Sequence, residues 1–504
     1  MSILAAFMVP HPPMIVPAVG RGGEEQIRET TAAYEQVAEE IARLQPETII
    51  ITSPHSIMYA DYFHISPGKG AEGSFSEFGA PQVSFDETYD EELVNAICGL
   101  ADRNGFPAGT LGERNKRLDH GTMVPLWFVR QVYNRRQEAA GNDFRLVRIG
   151  LSGLPLTDHY RFGQLLRKAV HDTGRRAVLI ASGDLSHKLQ DYGPYGFAPE
   201  GPQYDERIMD VCGRAAFGEL LEFEDDFCEK AAECGHRSFV IMAGAFDGQA
   251  VTAQKLAYQD VTGVGYGICT FYPGEADNSR RFLDQYMEKA QQAYLRRRGE
   301  EDPYVQLARR ALESYVLRRE VIKPDSATPF STASASTASA SIALAGAATD
   351  QTGDAESAKA AVLPEELLTT RAGAFVSVHE GGALRGCIGT IGPTRATLAE
   401  EIIGNAISAA TQDPRFSPIR PEELPMLEIS VDVLGEAEDI DSEEELDVKR
   451  YGVIVTNGGR RGLLLPDLEG VDTVRQQVQI AKQKAGIQPH ENVRLQRFEV
   501  IRHE

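Results

Sequence analysis

Ala177-Val178-Leu179-Ile180-Ala181-Ser182-Gly183-Asp184-Leu185-Ser186-His187 decides how the first half of the chain is built. An apolar run breaks off into a polar turn that closes on a histidine. That is the form of a buried strand delivering side chains to one edge of a sheet. The same form occurs twice upstream. Residues 3–10 read as a strand followed by His11. Residues 48–52 are a β-branched strand that stops at Ser53-Pro54-His55, where proline ends regular pairing. Residues 146–151 read as one more strand, and amphipathic helical patterns lie between, at 24–44 and 160–172. Strand and helix alternation of this kind predicts an α/β domain with helices on the faces of its sheet.

In open α/β sheets, ligands bind in the crevice beyond the carboxyl ends of the strands. His11, His55 and His187 all stand at such ends, and His120 follows in Leu118-Asp119-His120-Gly121. One histidine of this kind usually caps a turn or satisfies a carbonyl. Four at matching topological positions favour a shared site. Two neutral imidazoles and one carboxylate on one face of an octahedron suit iron(II). The three positions left open take both oxygens of a catecholate and one dioxygen. His11 and His55 are the natural imidazole pair, and a third ligand is expected from Ala232-Glu233-Cys234-Gly235-His236-Arg237-Ser238. Glu233 supplies the expected carboxylate.

At 504 residues the chain exceeds one ordinary hydrophobic core, so two or more domains are expected. Its net charge of -23 repels phosphate backbones and anionic membrane surfaces, which argues against nucleic-acid and membrane partners. No apolar run is long enough to span a bilayer. The six cysteines are scattered without a CxxC pair, which points to reduced thiols and a cytoplasmic home. Residues 278–298 read as a heavily charged helix, and 303–321 as a second helix with Leu307, Ala311, Leu312 and Tyr315 at helical intervals. Between 324 and 361 the composition turns to Ser, Thr and Ala, and disorder is expected because such a tract buries too little apolar surface to offset its ordering entropy. Folded patterns then resume. They include strands at 374–378, 428–434 and 494–501, helices at 397–410 and 474–484, and a hairpin around Asn457-Gly458. The acidic stretch 436–447 reads as a solvated surface.

His11-Pro12-Pro13, Ser53-Pro54-His55, Leu118-Asp119-His120-Gly121 and the Ser182 to His187 turn resemble the motifs of the class III extradiol ring-cleavage dioxygenases, the LigB-like fold that Memo proteins share. The resemblance covers residues 1–275. It implies that His11, His55 and an acidic residue bind iron(II), that His187 is the acid/base, and that His120 lies close to a small aromatic substrate and dioxygen. An imidazole suits proton transfer at neutral pH because its ordinary pKa is about 6.5. Asp184 is expected to orient the turn or His187. In Memo-like proteins a cysteine in a Cys-Gly context occupies the place of the acidic ligand, and Cys234-Gly235 matches it, so the resemblance makes Cys234 the alternative to Glu233, its thiolate favouring a softer or redox-active metal such as copper(I).

The second half centres on Gly382-Ala383-Leu384-Arg385-Gly386-Cys387-Ile388-Gly389-Thr390. Arg385 is suited to grip a carboxylate or phosphate, and Cys387 beside a cation is a candidate nucleophile. The bland alternative is a bulged strand with a buried cysteine and an internally paired arginine. With Thr411-Gln412-Asp413-Pro414-Arg415 and Gly462-Leu463-Leu464-Leu465-Pro466, the segment resembles the AMMECR-type domain. That match implies a smaller α+β domain over 303–504, carrying the 324–361 tract as an insertion, behind a helical connector at 276–302. The pairing of the two domains resembles the AmmeMemoRadiSam system protein A family, which implies a radical-SAM protein as partner. The chain has no CxxxCxxC cluster and is not itself that enzyme. Association into a homo-oligomer is left open.

Overall fold

A computed structural model of the chain describes residues 3–113, 116–140, 143–324, 363–421, 423–468 and 470–504. It divides into two compact units, Met1–Glu288 and Lys289–Glu504. The division falls inside the helix Phe282–Glu300, within the stretch read from sequence as a connector. Residues 325–361 of the low-complexity tract lie outside the described residues.

The first unit is built on a six-stranded sheet. Its strands are β1 (Ile3–Val9), β2 (Thr48–Ser53), β3 (Arg145–Gly150), β4 (Ala177–Ser182), β5 (Gln249–Gln259) and β6 (Tyr266–Ala276). The order is β3-β2-β4-β1-β6-β5. The first four are mutually parallel, and β6 and β5 close one side antiparallel. Strands β2 and β4 are buried along their whole length. They can be apolar throughout because both faces are covered. The two-residue period divides the side chains between two cores. Ala6, Met8, Ile50 and Leu179 enter one; Ala5, Phe7, Val9, Ile49, Ile51 and Ile180 enter the other. Helices α1 (Arg28–Leu44) and α2 (His120–Ala140) cover the second face; α3 (Leu156–Asp172) and α4 (His236–Ala245) cover the first. Since β1, β2 and β4 run the same way, the residues after them emerge at one edge, where His11, His55 and the Ser182 to His187 turn meet. A hairpin of Gly70–Phe75 and Ala80–Thr88 stands outside the main sheet. Its strands mix glycine, serine and charged residues, so no alternation marks it in the sequence.

His159 on α3 is fully buried, against the Phe63 ring at 4.7 Å between centroids, with Nδ1 3.1 Å from the Pro155 carbonyl oxygen. Burial pushes its pKa down to about 4. A histidine whose folded pKa lies below its ordinary 6.5 contributes stability that is complete above pH 6.5 and lost as pH falls towards 4. At about 1.4 kcal/mol per pH unit for one proton, that is about 3 kcal/mol. Urea midpoints at pH 7 and pH 4.5 should therefore differ less for His159→Gln than for the wild type. An equal pH dependence in both proteins refutes this.

The second unit has a seven-stranded, fully antiparallel sheet: β7 (Ala374–Glu380), β8 (Ala383–Gly389), β9 (Leu427–Leu434), β10 (Glu438–Ile440), β11 (Tyr451–Asn457), β12 (Arg460–Leu464) and β13 (Arg494–His503). The order is β8-β7-β9-β13-β11-β12, with β10 also on β13. Helices α5 (Pro303–Arg318) and α6 (Leu398–Thr411) share one core with β7 and β9, while α7 (Val474–Lys484) shares another with β11 and β12. Side chains set the starts of all three: Asp302 accepts from the Tyr304 and Val305 N–H groups, and Thr397 and Thr473 do the same for α6 and α7. The acidic stretch is more than solvated surface. Ile440 is buried, and Glu438 and Asp439 pair with Arg497 and Arg494 across β10 and β13. Among the described residues, no helix is long and apolar enough to cross a membrane.

Candidate metal centre

His11 follows β1 and is 1% exposed. Its Nδ1 lies 3.0 Å from Ser182 Oγ, and that hydroxyl donates to the Gly121 carbonyl oxygen at 2.6 Å. With its own proton committed, the serine oxygen accepts, so Nδ1 carries the histidine proton and the Nε2 lone pair is free. His55 Nε2 lies 3.0 Å from His11 Nε2. The His55 main chain is fixed by Ser53, whose Oγ accepts its N–H at 3.2 Å and donates to Asp119 Oδ1 at 2.5 Å. Asp119 also takes the Thr122 N–H at 3.0 Å, so the group that caps α2 ties it to β2. Helix α2 opens at His120, whose ring centroid is 3.9 Å from that of His55 and 5.4 Å from that of His11.

Burial first, then the neighbouring imidazoles His55 and His120, holds the His11 pKa well below its ordinary value. Burial and His120 push His55 down to about 4, and burial lowers His120. Three neutral imidazoles crowded together are costly as a resting arrangement and favourable as metal ligands. At 3.0 Å the His11 and His55 Nε2 atoms are as close as a hydrogen-bonded pair and near enough to be ligands of one cation. Neutral imidazoles beside a carboxylate and a thiol are a donor set that fits a transition-metal ion. Two groups of potential ligand atoms converge within 4.8 Å: His11, His55 and His120; and His11, Asp184 and Cys234.

Glu233 is not in either group. Its carboxylate turns back to cap α4, accepting the His236 N–H at 2.6 Å, and burial pushes its pKa up to about 7. The side chain beside His11 is instead Cys234, with Sγ 3.6 Å from His11 Nε2 and an N–H from Asp184 at 3.3 Å. Ala232 takes a left-handed conformation at φ 53°, and the turn it makes decides which of the two neighbours faces the cluster. Asp184 does more than orient the turn: Oδ1 accepts the His11 N–H at 2.7 Å, while Oδ2 lies 3.9 Å from His11 Nε2 and 3.8 Å from His187 Nε2. Burial raises its pKa. His187 Nδ1 meets the Ala232 carbonyl oxygen at 2.5 Å. A carbonyl only accepts, so the proton is on Nδ1 and Nε2 faces Asp184 as a base.

His55 and His120 form one end of a cavity of about 1460 Å³, walled mainly by the Gly70–Thr88 hairpin. Phe78, at the hairpin tip, packs edge-on to His120 at 5.5 Å between centroids. Sequence reasoning missed the hairpin, Ser182 and Ser53. Only the hydroxyls could have been suspected, from their places one residue beyond or at the end of two histidine-bearing strands.

In the second unit Arg385 is spent internally. Its guanidinium holds Glu423 at 2.7 Å and the Ser417 carbonyl oxygen at 2.8 Å. Cys387 is partly exposed on β8, and its N–H donates to Asp413 Oδ2 at 2.9 Å. Arg415, not Arg385, is the arginine at Cys387, reaching its carbonyl oxygen at 3.3 Å while paired with Asp413 at 2.7 Å. The two residues singled out from the sequence thus face different partners.

Residues 5–269 match the family described as the catalytic LigB subunit of aromatic ring-opening dioxygenase, and residues 305–503 match the AMMECR1 family. A protein of Clostridium acetobutylicum is 38% identical over 100% of this chain and 99% of its own length. A protein of Thermotoga maritima is 46% identical over 40% of this chain and 98% of its own length. The 2-aminophenol 1,6-dioxygenase beta subunit of a Pseudomonas species is 25% identical over 53% of this chain and 93% of its own length.

Proposed function

The chain belongs to the LigB family, with a LigB domain followed by an AMMECR1 domain, and from that premise we propose that its first domain is a metal-dependent oxidoreductase of the ring-opening dioxygenase type. Its substrate is a catechol-like small molecule and its co-substrate dioxygen. The observation that carries the reading is the pair of neutral imidazoles, His11 and His55, with Nε2 atoms 3.0 Å apart, the second of which lines a cavity of about 1460 Å³. His11 and His55 would hold the metal, iron(II) in the first instance, with His120 completing their converging group, while Cys234 falls with His11 and Asp184 in the other. When bound, a redox-active metal supplies the one-electron chemistry that dioxygen needs to react with a closed-shell ring. His187 takes a hydroxyl proton at Nε2 and returns it later, and Asp184 steadies the imidazolium in between. His120 and Phe78 line the approach and displace water from the ring.

A second reading is favoured by one observation, the thiol of Cys234 in the place where the carboxylate of Glu233 was expected. In that reading the domain binds a softer metal such as copper(I), turns over no catechol, and serves a maturation or modification step with a radical-SAM partner. Anaerobic loading with iron(II) followed by a panel of catechols in air decides between them. The dioxygenase reading expects a yellow ring-opened product from at least one catechol, abolished in His187→Gln with iron still bound. Stoichiometric metal with no product from any catechol overturns it in favour of the second.

A further inference from the structure

The second unit contains the same pattern twice. Hairpin β7–β8 is followed by α6, capped by Thr397, and hairpin β11–β12 by α7, capped by Thr473. In the first half Gly386 pairs with Val378, and a Cβ on it would lie 2.3 Å from the Ala409 carbonyl oxygen of α6. In the second half Gly462 pairs with Val455, and a Cβ on it would lie 2.1 Å from the Ala481 carbonyl oxygen of α7. Each helix thus lands on the corresponding glycine, and the next cross-strand pairs correspond as well. In the second half that pair is Ile454 and Leu463, buried in one apolar cluster. In the first half it is Ser377 and Cys387, both only partly buried, with the hydroxyl donating to Sγ at 3.3 Å. Packing alone calls for the apolar pair, which the second half keeps.

Two cations face this polar pair. Arg415 reaches the Cys387 carbonyl oxygen at 3.3 Å, and its guanidinium also interacts with the thiol. Lys484, in the last turn of α7, interacts with both Cys387 and Arg415, so the helix of one half closes on the strand of the other. Asp413 holds Arg415 at 2.7 Å and takes the Cys387 N–H, which balances one of the two charges and leaves a net positive one at the thiol. Burial lowers the Lys484 pKa, which makes its amine a readier base. We propose that Cys387 is the nucleophile of a second reactive centre, and that its substrate is a small electrophile bearing a negative charge, drawn in by Lys484 and Arg415. Lys484 takes the thiol proton. Sγ attacks the electrophilic carbon, a C–S bond forms, and the bond to the leaving group breaks with its electron pair. The proton on Lys484 then passes to the leaving group or to water, and no oxidant or reductant is consumed.

Iodoacetate and iodoacetamide test this, because they share one reacting carbon and leaving group and differ in charge. Alkylation of the full-length protein is followed at the Cys387 peptide by mass spectrometry, with glutathione as the reference thiol. Relative to glutathione, Cys387 should prefer iodoacetate over iodoacetamide by about 10-fold at low salt, a few-fold from each nearby cation. Raising the salt to about 0.5 M should bring that preference close to one, since exposed charges are screened. Arg415→Gln should lower the preference at low salt while iodoacetamide reacts at nearly the wild-type rate. Lys484→Gln should lower the preference and also slow iodoacetamide several-fold, because the base is gone. A preference equal to that of glutathione, one unchanged by salt, or one that survives both substitutions overturns the proposal and leaves Cys387 an ordinary partly exposed thiol. If both variants fail to fold, the wild type decides alone: a salt-sensitive preference for iodoacetate at Cys387 supports the centre, and its absence refutes it.

Discussion

His11→Ala is expected to abolish tight metal binding, lowering affinity by at least about 1,000-fold, and to remove all metal-dependent activity. The expectation follows from the position of one atom. His11 Nε2 is common to both groups of converging ligand atoms, so its loss leaves neither intact. The graded comparison is Ser182→Ala. There the ligand remains but loses the hydroxyl that fixes its tautomer and ring orientation, and changes of that kind typically cost about 10- to 100-fold. Titration of zinc into both variants against a competing chelator gives the two numbers. The account fails if Ser182→Ala binds more weakly than His11→Ala, or if His11→Ala binds as the wild type does. Because His11 is buried, thermal melts must accompany the titrations to show that the variant is folded.

Gly183→Ala is the second large effect. A Cβ on Gly183 would lie 2.0 Å from the Gly235 Cα and 3.0 Å from its nitrogen, so it meets backbone and not a movable side chain. The two turns are also stitched together at this point. The Asp184 N–H donates to Cys234 Sγ, and the Cys234 N–H donates to the Asp184 carbonyl oxygen at 3.3 Å. To reach ordinary contact the turns must part by more than an ångström, carrying Cys234 away from His11. Overpacking of this kind costs about 1–3 kcal/mol, occasionally more. Gly183→Ala should therefore lower the melting temperature by several degrees and weaken metal binding about 10-fold or more in the same protein. Gly299→Ala is the control: nothing lies within 4 Å of its Cβ position in an exposed helix, so stability should hold or rise. A Gly183→Ala protein with wild-type melting and wild-type metal affinity would show that the close approach is immaterial.

The parts of this site that could be read from the sequence are those that parallel strands impose. Once β1, β2 and β4 are recognised as strands running the same way, His11, His55 and His187 must emerge at one edge, and no side-chain information is needed. The choice between Glu233 and Cys234 was not legible, because it depends on an irregular turn. There a left-handed Ala232 sets the direction of each side chain, and no period relates position to facing. The same holds for the second unit. The edge strand containing Cys387 was visible, but the arginine at its backbone comes from a loop almost 30 residues away, Arg415, while the adjacent Arg385 pairs elsewhere. The cavity wall was invisible for another reason: in the Gly70–Thr88 hairpin the buried apolar residues Ala71, Phe75, Ala80 and Phe85 are spaced too unevenly among glycine, serine and charged residues to show a two-residue period. Arg148, in that wall, did leave a trace, as the one charged residue inside the apolar run Leu146-Val147-Arg148-Ile149. A cation held in a doubly covered strand is expensive unless it is paired, and Glu113 stands 3.7 Å from the Arg148 Nη2.

Everything said of the reaction depends on imidazole nitrogens from two separate strands sharing one cation. X-ray absorption fine structure of the iron(II)-loaded protein, prepared without oxygen, tests this most directly. The account predicts at least two imidazole nitrogens at about 2.1 Å. A first shell of oxygen alone, with no imidazole scattering, would contradict it.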